Sequence, residues 1–273
     1  PIQLRAADLP PWPVPADGVL AHDPSVVWGR LANGLRYAIM PNQTPQGRVR
    51  LHLLVEDGSL MGADDQRGLA HFLEHMAFKG SENLAPGDLV HYMQRAGLAF
   101  GADTNAATGY DTTSYRLDLP RNDAGLIGEG LGILSEIEGR LTLDPAQIEP
   151  ERGVILSEKR ARDTPRSRFR DQMLEFLLPG SRQVARDPIG IEDVIRTAPR
   201  ERFAAFYRDY YTPERSVVIV TGDVAPAAVA RAIEERFGGV TQPAAAPGDP
   251  SYPPPAQRRL DAILVSDPGL APT

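Results

Sequence analysis

Two imidazoles and a carboxylate fall close together at His71, Glu74 and His75. On a helix, positions four apart face the same way with their Cβ atoms about 5–6 Å apart, so both histidines could reach one divalent cation at about 2.0–2.1 Å. Glu74 lies beside them, placed to take a proton from a water held by that cation. A helix is the setting that the neighbouring residues dictate. Leu69, Phe72, Leu73 and Met76 recur at i, i+3, i+4 and i+7 and form a packing face, while His71, Glu74, His75 and Phe78 repeat that spacing on another. An isolated histidine is more often a satisfied core or surface group, and His22, His52 and His91 are read that way.

The order H-x-x-E-H is the inverted zincin signature, and it predicts a zinc site. The chain contains no cysteine, so any zinc must be held by histidine and carboxylate, which points to a catalytic rather than a structural site. A third ligand has to come from another element. Glu151, Ile155, Glu158 and Arg162 fall at i, i+4, i+7 and i+11, so two carboxylates share one helical stripe two turns apart. That stripe is the best source of the third ligand, and spacing alone does not choose between its glutamates.

The rest of the chain must position these groups. Its 273 residues, 42% hydrophobic and 24% charged, suit one large domain or two small ones. A net charge of −7 and a pI near 5.3 argue against nucleic-acid binding. The arginines between Arg160 and Arg170 are interrupted by Asp163 and flanked by Glu158 and Asp171, and read as a solvated helix face. No run of eighteen apolar residues is present, so no membrane span is expected, and no secretory signal pattern is visible. The start at Pro1 without Met suggests processing or a piece of a longer chain. Absence of cysteine suits a bacterial cytoplasm and a periplasm equally.

In chain order, residues 1–25 read as an extended Pro-rich segment and 26–240 as the main domain. Val26–Trp28 and Leu35–Ile39 flank Asn33-Gly34, a dipeptide suited to the positive φ angles of a tight hairpin. Val49–Val55 alternates as a half-buried strand. A helix is expected over Pro86–Ala96, closed by Gly97, followed by strands over Leu98–Thr108 and Tyr110–Leu119. The small polar run Gly101–Thr108 suits an edge strand against which another chain can lie. Asn122–Leu141 follows as a glycine-bearing helix, Asp144-Pro145 begins another, and Pro150 offers a second start. A helix at Pro199–Asp209, a strand at Ser216–Thr221 and a helix at Pro226–Phe237 complete an α+β layered domain. Residues 241–257 form a Pro-rich linker, and Arg259–Val265, within 258–273, reads as a strand that adds to the first sheet or starts a truncated second domain.

With these motifs in place, the sequence resembles the inverted-zincin peptidases of the pitrilysin, insulin-degrading enzyme and mitochondrial processing peptidase family, M16, and is most like its large bacterial periplasmic members of the PqqL type. Asn33-Gly34-Leu35-Arg36-Tyr37, the run from Gly58-Ser59 through His71–His75 to Lys79-Gly80, Glu151–Ile155 and Asp187-Pro188-Ile189-Gly190 stand in family order. The resemblance implies the LuxS/MPP-like metallohydrolase fold, a mostly antiparallel sheet flanked by helices. It implies one Zn²⁺ held by His71, His75 and Glu158, Glu74 as general base, and Glu151 as a carboxylate that orients the site, or as the ligand in place of Glu158. It further implies a peptide substrate lying as an added strand along Ala102, Asp103, Thr104, Asn105 and Ala106.

The function so implied is a zinc metalloendopeptidase acting on peptides or unfolded segments. The family closes two similar halves around a chamber, so the C-terminal half of the same enzyme is an expected partner, and the chain alone is expected to cleave weakly or not at all. A periplasmic location is implied, with the cytoplasm as the alternative. The competing reading is a non-catalytic scaffold or assembly subunit of the same family, which has no use for an open metal site.

Overall fold

The computed structural model describes residues 12–13, 22–98, 104–241, 262–267 and 269. Six strands form one mixed sheet: β1 (Val27–Arg30), β2 (Arg36–Pro41), β3 (Val49–Val55), β4 (Thr104–Thr108), β5 (Thr113–Leu119) and β6 (Ser216–Gly222), in the order β1-β2-β6-β3-β5-β4. The β2–β6 pairing is parallel and the other pairings are antiparallel. The alternation read in β3 holds, with Val49, Leu51, Leu53 and Val55 buried on one face and paired in register with Leu119, Leu117, Tyr115 and Thr113 of β5.

That face is covered by helices. α1 (Leu69–Met76), α2 (Asp88–Ala96), α3 (Ala124–Gly139), α4 (Pro145–Arg162), α5 (Pro165–Leu177), α6 (Arg182–Ala185), α7 (Glu192–Thr197), α8 (Arg200–Tyr210) and α9 (Pro226–Phe237) follow in chain order. α3 packs on β3 and β5, α9 on β2, and α1 on β4 and β5, with α4 and α8 behind α1. The glycines of α3 explain its close approach: a Cβ at Gly130 would fall 2.7 Å from the Leu51 side chain. The layered α+β expectation is therefore met, with the sheet's other face bearing partly exposed groups such as the Arg50–Asp118 pair.

Several local expectations need correction. The β1–β2 connection is longer than a two-residue turn: Leu31 N donates to Leu35 O, and Gly34 alone in this connection has positive φ, at 96°. Asn33 instead uses its side chain, which donates to Phe237 O and Val240 O and ties the hairpin to the end of α9. Pro150 starts no helix; it lies inside the continuous α4, capped by Asp144. α2 begins at Asp88 rather than Pro86, after Gly87. β5 begins at Thr113 rather than Tyr110, and residues 99–103 of the strand read over Leu98–Thr108 lie outside the described part. Residues 1–11 and 14–21, the linker stretch 242–257 and residues 259–261 also lie outside it. Trp12, in the segment read as an extended Pro-rich lead, donates to Tyr37 O and meets Trp28 edge-on at 5.1 Å. Residues 262–265 carry no strand hydrogen bonding; the segment is held instead by Asp267 on Arg168 of α5.

Candidate metal centre

α1 is the helix that the apolar spacing predicts: Leu69, Phe72 and Leu73 are fully buried and Met76 nearly so. Phe72 meets Phe203 of α8 edge-on at 4.7 Å, which fixes the rotation of α1 and turns its other face toward α4 and β4. Phe78, read as continuing that second face, lies beyond the helix end in a turn.

The start of α1 is locked by backbone contact. Gly68 caps the helix at φ 98°, and a Cβ there would fall 2.7 Å from Gly190 Cα. Lys159 of α4 donates to Gly190 O at 2.7 Å, so one loop holds α1 and α4 in register. The preceding segment is held by two arginines: Arg182 donates to Leu60 O and Gly62 O, and the buried Arg186 to Met61 O, Gly62 O, Ala63 O and Asp64 Oδ1. Arg152 in turn ties α4 to the carbonyls of Ile195 and Ala198 around the end of α7.

These restraints bring His71, His75 and Glu158 together. Glu158 Oε2 lies 3.5 Å from Nε2 of both His71 and His75, and the donor atoms of the three residues all fall within 4.8 Å of one another. A tetrahedral zinc with bonds of about 2.0–2.1 Å separates neighbouring ligand atoms by roughly 3.4 Å. Two imidazoles and one carboxylate gathered at these distances therefore fit zinc in chemistry and in spacing. Among the described residues no other cluster of this kind is found.

The groups around the triad are arranged with equal economy. His75 Nδ1 is 2.8 Å from Glu151 Oε1, and Glu151 Oε2 is 2.7 Å from Lys79 Nζ. Glu151 is thus turned away from the metal point and toward the back of His75, while Glu158 Oε1 bonds Arg162. Thr108, at the end of β4, donates to Glu74 Oε2 at 2.7 Å. Burial, reinforced by His75 and Arg162, depresses His71 to about 4, so this imidazole is neutral near pH 7, the state a metal ligand needs. Burial pushes the Glu74 carboxyl up, and the Thr108 bond pulls it part of the way back.

β4 is the edge strand of the sheet, its outer side unpaired among the described residues. Of the edge residues singled out from sequence, Ala102 and Asp103 lie outside the described part, Thr104 opens the strand, and Asn105 and Ala106 lie within it. Four site residues were not read from sequence: Thr108, Lys79, Arg162 and Arg186. Lys79 carried a usable signal, standing four residues beyond His75 and so one turn further along the same face.

Comparison with known proteins places the chain in a family. Residues 37–177 match the family described as Insulinase (Peptidase family M16), and residues 197–269 match its Peptidase M16 inactive domain. The chain is 34% identical over 218 residues to the Probable zinc protease PqqL of Haemophilus influenzae, covering 80% of this chain and 24% of that protein. It is 36% identical over 205 residues to the protein of the same name from Escherichia coli, covering 75% and 22%. It therefore spans about a quarter of the length of these curated relatives. Among solved structures, the first half of the periplasmic protease PqqL from Escherichia coli superposes with a TM-score of 0.83 at 33% identity, covering 87% of this chain and 51% of that one. Pitrilysin, at 20% identity and a TM-score of 0.71, shares the fold. With more than half of its residues matched to the insulinase profile, the chain belongs to peptidase family M16.

Proposed function

We propose that this chain is the zinc-binding catalytic domain of a metalloendopeptidase that cleaves peptides or unfolded segments. The observation that carries the reading is the convergence of His71 and His75 Nε2 on one oxygen of Glu158, with Glu74 beside them and, alongside, a strand edge unpaired among the described residues. In this reading His71, His75 and Glu158 hold the metal. Bound there, zinc would supply a Lewis acid that polarises a peptide carbonyl and acidifies a water molecule.

The chain's own residues do the remainder. Glu74 takes the proton of the attacking water and delivers it to the leaving amine nitrogen. Thr108 holds the other end of that carboxylate at the tip of β4, so a peptide pairing along 102–106 is led past the base by backbone hydrogen bonds. Such pairing reads little sequence and favours broad specificity.

The catalytic unit spans 26–240, with 241–257 a linker and 258–273 the start of a second domain. A C-terminal half closes the chamber, and the periplasm is the working compartment, as the description of the Escherichia coli neighbour suggests. The test is elemental analysis and peptide cleavage on this chain and on a longer one that carries both halves. One zinc per chain, lost in Glu158→Gln and kept in Glu74→Gln, and turnover only in the longer protein, lowered about 10²–10⁴-fold by Glu74→Gln, are expected. Zinc retained by Glu158→Gln would overturn the ligand set, and equal turnover by the two lengths would overturn the two-half reading.

A further inference from the structure

The carboxylate of Glu151 sits between two donors that lie one helical turn apart on the same segment. His75 Nδ1 meets Oε1 at 2.8 Å and Lys79 Nζ meets Oε2 at 2.7 Å, and the Glu151 side chain is only 6% exposed. Resting on the ligand set proposed above, we infer that Lys79 is a positioning residue for the metal site, acting through Glu151 to hold His75 in the tautomer and ring orientation that present Nε2 to the ion.

The argument starts from what His75 must do. A neutral imidazole carries one N–H, and His75 can offer the lone pair of Nε2 toward Glu158 and His71 only if its proton stays on Nδ1. An ionised carboxylate at Nδ1 accepts and cannot donate, so Glu151 fixes that choice provided it keeps its place. A glutamate held by one hydrogen bond can turn about its side-chain torsions. Held at both oxygens it cannot turn without breaking a charge-assisted bond.

Lys79 is itself well placed to act as the second anchor. The turn after α1 fixes its backbone, Phe78 N donating to His75 O and Lys79 N to Met76 O. Gly80 follows at φ 113°, so the chain leaves in a direction open to glycine, while the lysine side chain reaches Glu151 of α4. A lysine that only decorated the surface would have no reason to close on a carboxylate buried against the ligand helix.

The alternatives differ in sign. If Lys79 acted on the ion only through its charge, removing it would relieve repulsion and tighten zinc binding. If it only supported the fold, its loss would lower the melting temperature of the zinc-free protein and leave His75 as it was.

The test is zinc affinity by competition with a chromogenic chelator on this chain, wild type against Lys79→Met and Lys79→Arg. Long-range ¹H–¹⁵N spectra of the zinc-free proteins report the His75 tautomer. The expected result is a Kd raised roughly 10–100-fold in Lys79→Met, the range seen when the partner behind a ligating histidine is lost, and rescue by Lys79→Arg to within about threefold. The His75 Nδ1–H signature should weaken in Lys79→Met and return in Lys79→Arg. Unchanged or tighter binding in Lys79→Met, or a His75 signature identical to wild type, overturns the assignment. Failure of the wild-type chain to bind zinc, or binding indifferent to His71→Ala, would instead remove the ligand set on which the assignment rests.

Discussion

Glu138, on α3, offers a sharp test of how this core treats charge. Its side chain is fully buried, and neither carboxyl oxygen receives a hydrogen bond. The Ser216 hydroxyl beside it donates to Thr212 O at 3.0 Å, so Ser216 and Arg140 offset only part of the burial cost. Burial pushes the acid from its ordinary 4.5 up to about 8, and near pH 7 the folded protein carries it protonated. Because the folded-state value is raised, the associated stability is fully present below the unfolded value and is lost as pH climbs through the folded one. Over that interval each pH step costs about 1.4 kcal/mol, so the whole span approaches, as an upper figure, about 5 kcal/mol. Glu138→Gln removes the titration and keeps the shape. In urea unfolding at a series of pH values, the mutant should match the parent near about pH 4.5 and gain on it steadily to about pH 8, with the difference levelling beyond. A mutant-minus-parent difference that stays flat from about pH 5 to about pH 9 would refute the reasoning, because other titrating groups cancel in that difference.

Two further outcomes follow from side-chain contacts around the site. Thr108→Val removes the hydroxyl that holds Glu74 Oε2 and should lower kcat of a chain carrying both halves about fivefold, near 1 kcal/mol, while zinc content and KM stay as in the parent. Arg186→Leu orphans the carbonyl of Met61 and leaves Gly62 O to Arg182 and Ala63 O to Gln66 N alone, and urea unfolding should show a loss of about 2 kcal/mol with no change in m-value.

How much of this was legible in the residues depended on how local the cause was. α1 and β3 were readable because a single period decides them: four apolar side chains on one helix face, and four on one strand face, fix both element and orientation. α9 was readable from its limits, Pro226 at the start and Phe237 at the end. α5 was legible only as a solvated helix face in the arginine-rich run where it starts, and its limits were not, because it buries no residue and no apolar period marks it. Pro150 misled because a proline early in a helix costs one hydrogen bond near an end where bonds are already few. Asn33 misled for a different reason. Its type is right for a positive-φ turn, yet its side chain is used more than two hundred residues away on Phe237 and Val240, a long-range contact that no short window contains.

The candidate site divides along the same line. His71, Glu74 and His75 are local to one helix, and their spacing carries their chemistry. Which glutamate of α4 faces the two Nε2 atoms was not decidable from a stripe on which both stand, because the choice depends on the lateral placement of α4 against α1. That placement comes from Lys159 on Gly190 O, from Gly190 against Gly68, and from Arg152 on the carbonyls around α7, each a contact between residues far apart in sequence. Once α4 is seated, seven residues along the helix separate a carboxylate in front of the two Nε2 atoms from one behind His75 Nδ1. The different positions of Glu158 and Glu151 are therefore consequences of packing rather than of residue type. Relaxing the seat with Lys159→Met should accordingly weaken zinc binding although Lys159 touches no ligand atom. An affinity equal to that of the parent would show that α4 is positioned by other contacts.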